Sequence, residues 1–124
     1  MQFDKLLEVK TSGAVSTTAS TTAVAMTLVP NREFTCVIPV TSVKTSASNE
    51  TYVLAVQVAT TSGGTYTTVG TIPAVQTTGA KVYRVPLSGK WIENLNATAV
   101  WIRITHTLGG TDPSVTFSAY VTKV

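Results

Sequence analysis

Apolar and polar residues alternate along most of this chain with a period of two, the pattern of half-buried β-strands. Val24, Met26 and Leu28 fall on one face and Ala23, Ala25 and Thr27 on the other, before a turn at Pro30-Asn31. Phe34, Cys36, Ile38 and Val40 then share a face opposite Thr35, Val37 and Pro39. Residues 51–60 predict a central strand, with Tyr52, Leu54, Val56 and Val58 on one side. Val53, Ala55, Gln57 and Ala59 line its other side, so both sides read as partly covered. Ser62-Gly63-Gly64 turns that strand into a partner running from Tyr66 to Ile72, a hairpin signal. Tyr83, Val85 and Leu87 resume the alternation with Val82 and Arg84 outward, and a long connection follows through Trp91, Ile92 and Leu95.

The last two strands are the clearest. Over 98–107, Val100, Ile102 and Ile104 point inward and Trp101, Arg103 and Thr105 outward. Gly109-Gly110 and Asp112-Pro113 form the turn, and over 114–122 Val115, Phe117, Ala119 and Val121 point inward. Tyr120 is then outward on what chain order suggests is a neighbouring strand. Two segments break the pattern. Residues 2–10 fit neither period and predict an arm or a short edge element; residues 11–22, small and polar, predict a loop or weak edge strand. The expected fold is all-β: a two-sheet antiparallel β-sandwich, jelly-roll-like, of about eight strands with a short N-terminal arm. One domain spans 1–124, with 1–22 as arm and small-residue edge segment.

Composition strengthens this reading. Of 124 residues, 24 are Thr and 18 Val, β-branched types that suit a pleated, half-buried surface. Charged residues make up only 12% against 44% hydrophobic, and mean hydropathy is +0.26. A surface so poor in charge points to an oligomer or a permanently covered face. The net charge is +3, but the nine basic residues are scattered, so neither a nucleic-acid nor a membrane partner is expected. The opening ten residues hold four charges and do not read as a signal peptide, and a single cysteine excludes an internal disulfide.

Candidate chemistry is thin. Cys36 lies on the apolar side of its strand and reads as a small core residue. His106 reads as an ordinary strand-end or turn histidine. Two such residues cannot furnish a zinc site, the six carboxylates are dispersed, and Asx turn chemistry explains Asp112 without calcium. Neither Gly-Gly pair sits in a strand-to-helix phosphate loop. The expectation is a protein without catalytic residues, metal or cofactor. The outward row remains: Trp101, Arg103 and Tyr120, with Arg84 and the aliphatic Val37, Val53 and Val82, either packs under a loop or the arm or anchors an interface.

Three stretches carry a family resemblance. They are Phe3-Asp4-Lys5-Leu6-Leu7 with the small-residue run Gly13 to Thr22; the hairpin of residues 53–58 and 65–67; and Lys81 to Leu87 with Trp101-Ile102-Arg103-Ile104 and Ser114 to Val121. In these the chain resembles the capsid cement (decoration) proteins of tailed bacteriophages, in particular the short jelly-roll cement family known from a Bordetella podophage. The resemblance implies a structural virion protein that binds the outer surface of the major capsid protein shell and staples neighbouring subunits. It implies assembly in the host cytoplasm and a homo-oligomer, dimer or trimer. Interface candidates are Trp101, Arg103, Tyr120, Arg84, Phe3 and Leu7. The alternative is a carbohydrate- or receptor-binding β-sandwich of a phage tail or cell surface, with Trp101, Trp91 and Tyr120 as stacking platforms. That alternative calls for a groove pairing an aromatic with acidic or amide side chains, and few such groups lie near Trp101 in sequence.

Overall fold

Strand pairing sorts the chain into two antiparallel sheets. The computed structural model describes residues 5–25, 33–45, 48–72, 81–95 and 101–123. The strands are β1 (Lys5–Val15), β2 (Ala19–Ser20), β3 (Val24–Ala25), β4 (Glu33–Val43), β5 (Thr51–Ala59), β6 (Thr67–Ile72), β7 (Lys81–Ser88), β8 (Trp101–Gly109) and β9 (Val115–Lys123), with a helix α1 (Gly89–Leu95) between β7 and β8. One sheet has the order β1-β9-β4-β7; the other runs β2-β8-β5-β6, with β3 also paired to β8. β2 and β3 thus share one strand position beside β8, leaving eight positions in all. The chain switches sheets at most connections, and the two orders together are the double Greek-key winding of a jelly roll.

The alternation places the core. Cys36, Ile38 and Val40 of β4, Val85 and Leu87 of β7, and Val115, Phe117, Ala119 and Val121 of β9 face inward from one sheet. Tyr52, Leu54, Val56 and Val58 of β5 and Ile102 and Ile104 of β8 meet them from the other. Strands that keep β-branched and aromatic residues on one side can bury that side against a second sheet, and burial contributes most of the stability. Met26, Leu28, Val100 and Phe3 lie outside the described residues.

Four expectations need correction. First, of the alternatives for the N-terminal segment the structure takes the edge element and makes it longer than expected: β1 is an eleven-residue edge strand on β9, with three register shifts. The Lys10 ammonium explains how an irregular strand holds there. It donates to the carbonyl oxygens of Thr11 (3.0 Å), Gly13 (3.1 Å) and Phe117 (2.9 Å), matching its three N–H donors to three acceptors. Second, the connection after β7 contains a helical turn that the strand pattern hid. The Ser88 hydroxyl accepts from Trp91 N at 3.4 Å, and Ile92 is fully buried. Third, Val37 is outward by parity yet only 1% exposed, because β4 is a central strand and Val37 lies between Arg84 and Tyr120 across the ladder. Fourth, His106 is no strand-end residue. It lies within β8 on the parity of Ile102 and Ile104, is 4% exposed, and stands edge-on to Phe117 with ring centroids 6.0 Å apart.

The turn from β8 to β9 crosses between the sheets and is held from below. Asn49 accepts from Thr111 N (3.0 Å) and donates to the Thr111 hydroxyl (2.9 Å), while Glu50 accepts from Asp112 N (3.3 Å). Gly110 has φ +99°, and a side chain there would strike the backbone of Asn49 and Glu50. Asp112 pairs with Lys44 at 2.6 Å on the surface. No helix among the described residues is long and apolar enough to cross a membrane.

Candidate interaction surface

β8 and β5 build the surface by pairing residue for residue. Ala59 stands opposite Trp101, Gln57 opposite Arg103, Ala55 opposite Thr105, and Val53 opposite Thr107. Each of these points away from the core, since Val58, Val56 and Leu54 alternate with them and are buried. Ala59 is nevertheless fully buried in its place opposite the indole of Trp101. Trp101 and Arg103 are themselves half-buried.

A single network fixes the middle of this face. Arg103 Nε donates to Gln57 Oε1 at 2.9 Å, and the Thr105 hydroxyl donates to the same oxygen at 2.6 Å. Gln57 Nε2 donates to Thr68 Oγ1 at 3.2 Å, so the amide is held at both ends. The Arg103 guanidinium carbon lies 3.6 Å from the ring centroid of Tyr66, a close cation–π stack. Tyr66 is anchored in turn, its hydroxyl donating to Ser62 O at 2.6 Å. Ser20 on β2 extends the row, with its hydroxyl 3.3 Å from that of Thr105.

The predicted interface residues do not form one patch. Trp101 and Arg103 share the outer face of the five-stranded sheet. Tyr120 is not on a strand beside them: β9 pairs with β1 and β4 in the opposite sheet. The reason is topological, since successive strands joined by a short turn need not pair when the turn crosses the sandwich. Tyr120 and Arg84 flank Val37 on the outer face of that other sheet, where Val82 is 45% exposed. Leu7 stands at a β1 position opposite Val121, with its side chain outside what the structure describes. Phe3 is likewise outside it. Gln57 and Tyr66 were missed, because only the pairing of β8 with β5, and of β5 with β6, brings residues so distant in sequence together.

Two grooves lie elsewhere. One, of about 380 Å³, runs between the edge strands β6 and β7; Gly70, Ile72, Val85 and Pro86 line it beside Trp91, which is 52% exposed. β6 comes so close there that a Cβ on Gly70 would overlap Val85 Cγ1. The other, of about 410 Å³, opens between β1 and β2 and is lined by Val9, Lys10, Val15, Thr21 and His106. His106 Nδ1 lies 2.9 Å from Thr17 O, so that nitrogen carries the proton. Burial pushes the imidazole pKa down, the Thr17 carbonyl opposes this, and the nearby Lys10 charge adds to the lowering. Cys36 is fully buried, and burial pushes its thiol up to about 12, which removes it as a nucleophile near neutral pH. Among the described residues, no three of His, Cys, Asp and Glu gather in a way that could hold a metal.

No family model and no curated protein matches the sequence. Among solved structures, the chain is similar to the Clostridium thermocellum endo-1,4-beta-D-xylanase 10B, CBM22-1-GH10 modules complexed with xylohexaose. The TM-score is 0.56 at 13% identity, over 100% of this chain and 29% of that one. At that identity the likeness concerns the fold alone, and it agrees with the all-β, two-sheet antiparallel sandwich described above.

Proposed function

We propose that this chain is a structural cement. It adheres through the outer face of its five-stranded sheet to the outer surface of a bacteriophage capsid shell and bridges neighbouring major capsid protein subunits. The observation that carries the reading is that face itself: broad strands rich in Thr and Val, with one aromatic–guanidinium anchor set in place by Gln57 and Tyr66. Anchors of this kind, Trp and Arg in a weakly charged surround, supply most of the affinity at protein interfaces. The sequence stretches that resemble the cement family support it too: within the described residues they fall in β1 and β2, in the β5–β6 hairpin, and in β7, the start of β8 and β9. The chemistry is binding rather than catalysis, and the mechanism is mass action: whatever binds only the assembled shell stabilises it, and repeated copies add avidity. The second outer face, with Tyr120, Arg84 and Val82, is the surface available for a sister copy in a dimer or trimer.

One observation favours a second reading, carbohydrate binding. Gln57 places an amide beside Arg103 and Tyr66, a combination of aromatic and amide that the local sequence around Trp101 lacks. Against it, neither groove described above is lined by these residues.

Co-sedimentation with shells stripped of this protein, run beside a glycan array, separates the two. The cement reading expects shell binding by the wild type, and a loss of about 2 kcal/mol or more per contact for Trp101→Ala with melting temperature retained. Full shell binding by a well-folded Trp101→Ala variant refutes the assigned face, and glycan binding without shell binding favours the second reading.

A further inference from the structure

The five strands of the β2-β8-β5-β6 sheet and its β3 extension contain one formally charged side chain, Arg103. His106, the other titratable base in these strands, faces the core. Arg103 has five N–H donors. The Nε–H is taken by Gln57 Oε1, and that oxygen is also occupied by Thr105, so the amide cannot swing to serve the rest of the guanidinium. The plane is held over Tyr66 at 3.6 Å. The four N–H groups of the two terminal nitrogens are hydrogen-bonded to no described residue. A half-buried guanidinium with its orientation fixed and its fork unspent, on strands without a carboxylate, is a receptor for a carboxylate supplied from outside.

We propose that Arg103 takes an Asp or Glu side chain of a protein partner in a two-pronged pair, with Gln57 and Tyr66 as positioning residues that aim the fork. This rests on the cement reading for the partner's place, and adds to it the chemical group that the partner must present. A polypeptide carboxylate is preferred over an acidic sugar because the fork lies on a sheet face and lines neither groove. Fixing the fork beforehand lowers the ordering cost of binding. It also makes lysine a poor substitute, since an ammonium neither stacks on Tyr66 in this way nor offers two parallel donors.

Two measurements test the proposal on the full chain. In the first, wild type, Arg103→Lys and Arg103→Met are titrated against stripped shells, after melting curves show which variants are folded. Loss of a buried charge-pair partner costs about 2 kcal/mol or more, so Arg103→Met is expected to bind roughly thirtyfold more weakly, with Arg103→Lys rescuing little of it. Unchanged affinity for both variants, beside a wild type that binds, overturns the carboxylate pair and leaves the cement reading standing. Wild type that binds no shell overturns the cement reading, and the second measurement then decides the pair. There, the Arg103 side-chain NMR signals are followed on adding a hexamer of glutamate, a hexamer of glutamine, or a hexuronate oligosaccharide. A saturable shift of the Arg103 signals with the glutamate peptide, absent with glutamine, is the expected result, with a matching shift of the Gln57 side-chain amide that is lost in Arg103→Lys. No shift with the glutamate peptide overturns the proposal, and tighter binding of the hexuronate overturns the choice of a protein partner.

Discussion

Truncating Phe117 to alanine tests the register on which the whole sandwich depends. The side chain is fully buried and projects from β9 between the sheets. Its ring meets His106 edge-on at 6.0 Å between centroids, and the Lys10 ammonium lies 4.5 Å above it. Removing a buried Phe costs about 3–5 kcal/mol, and loss of the aromatic and cation–π partners moves this site to the upper end, about 4–5 kcal/mol. A domain of this length has a total stability of roughly 6–19 kcal/mol, so the change removes a large share of it. With a urea m-value of about 2 kcal/mol/M, the unfolding midpoint falls by about 2 M. Ser118, the next residue, is half-buried on the opposite face, so Ser118→Ala serves as the control and stays within about 0.5 kcal/mol of wild type. Equal midpoint shifts for the two variants, with unchanged m-values, would refute the register and the inward assignment of Val115, Ala119 and Val121 that follows from it.

Other consequences are as specific. Stability falls as pH drops below about 6.5, the ordinary value for His106. Its folded pKa is lowered, so the unfolded chain binds the proton first, and the loss continues down through the folded pKa; His106→Gln flattens that limb in pH-dependent urea titrations. Cys36 stays unreactive to a thiol reagent at pH 8 in the native protein and is modified only at the rate of global unfolding, so prompt stoichiometric labelling would contradict its burial. Gly70→Ala costs about 1–3 kcal/mol by overpacking against Val85, and the double variant with Val85→Ala costs less than the sum of the single changes, a coupling measured by a double-mutant cycle.

The core was legible because it depends on parity alone. Ile102, Ile104, Phe117 and Val121 point inward in any sheet arrangement that buries one face, and the sequence pattern is unambiguous there. The same parity in fact places His106 inside, but a lone polar residue near a Gly-Gly pair reads more naturally as part of a turn. Pairing partners were not legible. Nothing local distinguishes a turn that returns the chain to its own sheet from one that crosses the sandwich, and the Gly109–Pro113 turn crosses. That is why Tyr120 was expected beside Trp101, and why Gln57 and Tyr66, 46 and 37 residues from Arg103 by subtraction of positions, were not expected to touch it. The full length of the edge strand β1 was hidden by its irregular period over Lys5–Val15, where the pairing with β9 shifts register three times and Lys10 holds the ladder.

The most direct test of the cement proposal is a cryo-electron microscopy reconstruction of shells assembled from the companion major capsid protein and decorated with this chain. The account predicts density for the sandwich on the outer surface, spanning a joint between subunits. The β8–β5 face is inward, with Trp101 buried at the contact and a carboxylate of the shell within bonding distance of Arg103. Decorated shells in which that face points to solvent, or shells that acquire no density at all, would contradict it.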